Sequence, residues 1–316
     1  MVFGSKKKPA PPPDELMTRL SRRGPYKVLR GDLGFVGVPG QLFTPAAGAG
    51  LPLVAFGHSW MADSGRYRDL LFHLASHGIV AAAPDVECGL TPSDVELAAG
   101  LRTAVANLPK VRLGLDESIT VDPRRCAVAG HGFGASAAVL ALGPDVLAGT
   151  EPIGVESLAA IFPKPSTPTA FAAADAVRVP AMVVAAGSEL DTVDANPLPL
   201  ARALAGPVVL RSVPGATERG LLQRRSLRSL VGINGADKTT HSAVRALLTG
   251  FLIATADGDD EYAAFTDPEA TLGAVLAVDP DEPDADDRDH IEKLFGGAPS
   301  AGRTGALSSI RALRGG

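Results

Sequence analysis

The stretch from Arg124 to Ser136 reads as an apolar strand, a glycine-rich turn and the start of a helix of small residues. A strand-to-helix bend of the form G-x-S-x-G lifts a serine Oγ above a sheet and turns the next backbone N–H toward the oxygen on which charge develops during acyl transfer. In this chain the central position is Gly132, flanked by His131 and Phe133. The bend has the form that presents a nucleophile, and the attacking atom is missing. Glycine also has a structural reason to stand there, since it occupies sparsely populated backbone conformations without a Cβ penalty.

Few other side chains offer the missing chemistry. His58 and His131 read as packing residues, while His241 follows Thr239 and Thr240 on the final helix, where a capping or surface role is expected. Cys126 belongs to a buried strand, where a thiol is inert. Ser136 reads as a small packing residue one turn into the helix, and Ser59 carries a hydroxyl with no base identifiable beside it. Glu189, Asp191, Asp194 and Glu218 lack the regular spacing of an oxygen-ligand calcium loop, so neither a metal nor a cofactor is expected.

An alternation of strand and helix patterns must position these groups. Tyr26 to Leu29 and Val36 to Thr44, the latter broken by Pro39 and Gly40, read as short strands. Leu51 to Phe56 is a continuous apolar run of the kind found in strands buried on both faces, and it leads into Gly57, His58, Ser59 and Trp60. A helix from Ser64 to His77 carries Tyr67, Leu70, Leu71 and Leu74 at helical spacing, and Gly78 to Asp85 returns as a buried strand. Strand, helix and strand of these lengths make a right-handed βαβ unit. A helix capped near Ser93 runs to Leu108, strand patterns recur at Leu158 to Phe162, Ala181 to Ala186 and Val208 to Val213, and helices are expected around Leu198 to Leu204 and from Lys238 to Ala256. The pattern predicts an α/β fold with a mostly parallel, doubly wound sheet of about eight strands and helices on both faces. Residues 163–175, rich in Pro, Thr and Ala, read either as a lid or as plain connector.

The chain has 316 residues, of which 46% are hydrophobic and 21% charged, which suits one large core with tails. A net charge of -5 gives no general reason to expect nucleic acid as a partner. No apolar run reaches the roughly 20 residues of a membrane helix. Cys88 and Cys126 do not suggest a disulfide framework, and a reduced, cytoplasmic setting is expected. Three segments follow from composition: a flexible basic and Pro-rich arm over 1–24, a globular α/β domain over 25–278, and a disordered tail over 279–316 that is first acidic and then rich in Gly, Ala and Arg. No apolar h-region follows Lys6, Lys7 and Lys8, so a secretory signal is not expected.

From about residue 25 to residue 270 the chain resembles the dienelactone-hydrolase, chlorophyllase and polyester-hydrolase (cutinase-like) branch of the α/β-hydrolases. His58, Ser59 and Trp60 are similar to the H-G-aromatic turn after the third strand, whose aromatic N–H helps to bind the oxyanion. Leu74 to Val80 is similar to the family's helix-to-strand passage, and Gly187 to Val193 to the G-x-x-x-D-T-[IV] segment that supplies the triad acid, which the resemblance places at Asp191. Asp257 to Phe265 resembles the D-G-D-x-x-Y-x-x-F ending of polyester hydrolases. The resemblance implies an α/β-hydrolase fold, oxyanion donors at Trp60 and Phe133, and a pocket bordered by Ser59 and His131. Its departures fall on the chemistry: the serine position is Gly132, and after Pro214, Gly215, Ala216 and Thr217 the histidine position is Glu218. A carboxylate with an ordinary pKa of about 4.3 is a poor substitute for imidazole as a base.

The expected function is that of a catalytically degenerate hydrolase, a pseudoenzyme that binds a small apolar or acyl ligand, or a protein partner through its N-terminal arm or C-terminal tail. The alternative is an active ester or thioester hydrolase with a non-standard nucleophile. In either case the cleft is expected at the carboxyl ends of the strands, between Trp60, Phe133 and the loops carrying Asp191 and Glu218.

Overall fold

The apolar runs become strands at Val28–Asp32 (β1), Gly40–Pro45 (β2), Leu51–Gly57 (β3), Val80–Pro84 (β4), Val121–His131 (β5), Ser157–Ile161 (β6), Ala181–Ala186 (β7), Val208–Val213 (β8) and Leu276–Val278 (β9). The helices are Pro13–Ser21 (α1), Arg68–Ser76 (α2), Asp94–Asn107 (α3), Phe133–Leu140 (α4), Phe171–Ala174 (α5), Pro197–Ala203 (α6) and Lys238–Asp257 (α7). The structure is a computed structural model that describes residues 11–143, 153–166, 170–187, 189–190, 192, 195–223 and 237–281.

All nine strands form one sheet in the order β1-β2-β4-β3-β5-β6-β7-β8-β9. It is parallel from β4 to β8, with β1, β2 and β9 added antiparallel at its edges. This is the α/β-hydrolase architecture, with one more strand than the sequence predicts. The extra strand is β9, three residues long and half exposed, which is too short to leave a periodic signature.

Both faces of the sheet are covered, and the strands show why. In β3, Leu53 and Ala55 join the core under α3, α4, α5 and α6, while Val54 and Phe56 join the core under α1, α2 and α7. In β5, Cys126 and Val128 oppose Ala127 and Ala129 in the same way. With both faces apolar, the period of two that marks a half-exposed strand is hidden in a continuous run.

The sequence predicts a flexible arm over 1–24 with a helix-compatible piece from Asp14 to Arg23; residues 13–21 form the helix α1, but it is docked, with Leu16 and Leu20 buried against α7. Those two leucines lie one turn apart and make an apolar stripe, Pro13 suits the first helical position, and Asp14 and Glu15 face the helix dipole favourably. Arg19 fastens the helix further by donating to Glu261 and to the Tyr262 hydroxyl. The first ten residues lie outside the described residues, as does everything from residue 282 onward, including most of the acidic block and the tail.

At the far edge the buried guanidinium of Arg211, on β8, donates to the carbonyls of Asp267, Pro268 and Ala270 and clasps the segment that leads to β9. Near the centre, α4 starts directly above β3 and β5 because three glycines meet there. A Cβ on Gly134 would strike the main chain of Gly57, and one on Gly130 would strike that of Gly134. Among the described residues no helix is long and apolar enough to cross a membrane, and Cys88 and Cys126 are free thiols.

Candidate functional site

Gly132 joins β5 to α4 with φ 58 and ψ -118, in the left-handed half of conformational space that glycine enters freely. Its N–H donates to Ile161 O at 2.9 Å, tying the bend to the next strand. The side at which a nucleophile would project is already filled. A Cβ built on Gly132 would lie 2.5 Å from Ser59 Oγ and 2.9 Å from Glu218 Oε1.

Ser59 and Glu218 are themselves partners. Ser59 follows β3 and is buried, and its Oγ donates to Glu218 Oε1 at 2.9 Å. Glu218 opens a short 3-10 turn, Glu218–Leu221, after β8, and its other oxygen Oε2 lies 3.2 Å from Lys164 Nζ. Lys164 comes from the segment after β6, which Ser136 of α4 holds by donating to Lys164 O. Burial pushes the Glu218 carboxyl up, but the attraction of His131 and Lys164 and the hydrogen bonds from Ser59 and Lys164 outweigh it and hold the group below the usual carboxylate range. The carboxylate is therefore ionised at neutral pH. The sequence reading identifies no base beside Ser59, whereas the structure brings the Glu218 carboxylate to it from 159 residues away; Ser136 is buried, as a small packing residue would be, and also donates to Lys164 O.

Behind this cluster lies a second, buried set of contacts. Tyr67 Oη accepts the Ser59 N–H at 2.8 Å, which leaves its own hydrogen for His131 Nδ1 at 2.7 Å. Desolvation raises the Tyr67 pKa, so the phenol stays protonated. Burial pushes His131 down to about 4, partly opposed by the Glu218 charge, so the ring is neutral at pH 7 with its proton on Nε2. That Nε2 has no hydrogen-bond partner among the described residues. His58 acts as a brace, its ring nitrogens lying 2.9 Å from Ser59 O and 2.6 Å from Val86 O.

The remaining candidates divide. Cys126 is buried and its thiol is pushed up to about 12 by desolvation, which keeps it unreactive. His241 is buried rather than at the surface, with both ring nitrogens unpartnered among the described residues. Capping of α7 falls to Asp237, whose side chain accepts the Thr239 N–H. Asp191 and Asp194 lie outside the described residues, and among the described residues no group of His, Cys, Asp and Glu is placed to hold a metal ion. Phe133 packs its ring into the core instead of bordering the cleft.

An open cavity of about 480 Å³ lies beside the Ser59–Glu218 contact, lined in part by Trp60, Met61, Arg66, Arg219 and Leu222. Trp60 is half exposed, and its indole N–H donates to Leu90 O at 3.1 Å. Arg66, Tyr67 and Lys164 are the site residues that sequence reasoning passes over. Tyr67 is hidden among the apolar positions of its helix, and Lys164 is a lone cation in a Pro- and Thr-rich stretch. The usable signal was at residue 59, where serine replaces the glycine of the H-G-aromatic pattern.

Residues 36–204 match the protein-family model described as Chlorophyllase, a span that contains Ser59, the elbow and Lys164 and ends before Glu218. No curated protein matches the chain.

Proposed function

The chain belongs to the chlorophyllase family of α/β-hydrolases, and on that premise we propose that it is a catalytically degenerate member that works by binding a ligand in the cavity beside the elbow. The observation that carries this reading is the filled nucleophile position: the space beside Gly132 belongs to Ser59 Oγ and Glu218 Oε1. Even a serine restored by a single substitution would meet another hydroxyl and a carboxylate there. Reaction with a fluorophosphonate probe tests the proposal, with no labelling of the folded protein as the expected result. Stoichiometric labelling would sink it.

A second reading is favoured by one contact, the hydrogen bond from Ser59 Oγ to Glu218 Oε1, which makes Ser59 a nucleophile with a carboxylate base. The electrostatics weigh against it. A general base works best with a pKa near the operating pH, whereas Glu218 is held below the ordinary carboxylate value by the charge of Lys164 and the hydrogen bonds from Ser59 and Lys164. Ser59 is moreover buried and held by its own N–H to Tyr67. If labelling does occur, its loss in Ser59→Ala would assign it to this residue.

A further inference from the structure

The charged groups around the cavity differ in how well they are satisfied. Its carboxylates have their protons supplied from within the protein: Glu218 Oε1 by Ser59 Oγ, Glu218 Oε2 by Lys164 Nζ, Asp237 Oδ1 by the Thr239 N–H and Asp237 Oδ2 by Thr240 Oγ1. Its guanidiniums do not. Neither Arg66 nor Arg219 pairs with a carboxylate among the described residues. Arg66 is anchored through Nε to Gln223 O, which leaves its terminal nitrogens as donors at the cavity wall, and Arg219 is exposed there. A guanidinium presents a planar fork that matches carboxylate and phosphate oxygens.

The cavity also has apolar, solvent-exposed lining residues. Trp60 and Met61 are 54% and 52% exposed, and Leu222 lines the same space. Met61 also keeps a positive φ of 53, an uncommon conformation for a side chain of its size. At about 480 Å³ the cavity has the size of a small-molecule site.

We propose that this cavity binds an amphipathic organic anion, a carboxylate or phosphate head carried on an apolar chain, with Arg66 and Arg219 as counter-charges and Trp60, Met61 and Leu222 against the chain. The proposal rests on the reading of the site as a binding site and adds the class of ligand. Because Glu218 is neutralised by Lys164, it does not repel such a head.

Trp60 is the single tryptophan of the chain and lines the cavity, so its emission reports occupancy directly. The full chain is titrated with octanoate, octyl phosphate and 1-octanol, which share a tail and differ in the head. A saturable change is expected with one or both anions, with octanol weaker by roughly tenfold or more; which anion binds assigns the head. Arg66→Gln with Arg219→Gln should weaken anion binding by roughly tenfold or more, and Arg66→Lys with Arg219→Lys should retain most of it. Thermal melts establish that the variants are folded. Octanol binding as tightly as octanoate would overturn the anion assignment while leaving a binding site in place. No saturable change with any of the three would overturn it as well. Ester cleavage by the parent protein would instead remove the non-catalytic reading without touching the preference for an anion.

Discussion

Ser59 and Gly132 compete for one volume, and that competition decides what substitutions at either can do. Gly132→Ser would place a Cβ at a positive φ and 2.5 Å from Ser59 Oγ, so it should lower stability by about 1–3 kcal/mol from the backbone alone. Ser59→Gly in the same chain should recover part of that loss, giving a non-additive double variant in urea melts. The same geometry governs any return of activity. Gly132→Ser with Glu218→His should remain silent toward p-nitrophenyl butyrate, because Ser59 still fills the site, and a burst should appear only when Ser59→Gly is added. Strictly additive stabilities, or a burst without the change at 59, would show that the two side chains do not share space. Each of these residues is visible in the sequence as a departure from a pattern, at 59, 132 and 218. That the three departures touch one another is not visible there, because contacts across the sheet ends depend on the loops after three different strands.

At the scale of elements, two histidines lie in the interface that holds α1, and its docking should depend on pH. His73 of α2 is buried with Nε2 unpartnered among the described residues, its ring centroid is 4.7 Å from that of His77, and His77 Nε2 lies 2.9 Å from Arg22 O just beyond α1. The charges facing this pair are Arg19 from α1, paired with Glu261, and Arg245 from α7, 3.8 Å from Asp69, while Arg23 lies over the Phe72 ring. Burial pushes His73 down to about 3 and His77 downward as well. A histidine whose pKa is lower when docked than its free value of about 6.5 leaves docking intact above that pH. Below it, docking loses up to about 1.4 kcal/mol per pH unit for His73, until the docked pKa is reached. Hydrogen exchange across α1 should therefore lose protection between pH 7 and pH 5, ahead of α7, and His73→Phe should abolish the difference. Equal protection at both values in the parent would refute the interface as a sensor. The long buried strands and α7 are legible because their apolar runs are strong; the helical character of α1 is legible too, but its docking is not, because two leucines in nine residues beside a basic and proline-rich start mark no core face until the groove that receives them exists.

For the whole molecule, the ends of the chain should contribute unequally. The acidic block that begins at Asp279 has no apolar content, so a chain ending at Asp281 should keep the parent thermal midpoint. Removing residues 1–22 should cost roughly 3 kcal/mol or more, because it takes Leu16 and Leu20 out of the core. Equal midpoints for the parent and the second truncation would mean that α1 is a passenger. The glycines at 57, 130 and 134 and the two apolar faces of the sheet place α4 above β3 and β5. The contact between residues 59 and 132 behaves like a lock that needs two keys. A serine placed at 132 meets an occupied seat, and a glycine placed at 59 leaves 132 without an attacking atom, so neither change alone is expected to produce a nucleophile.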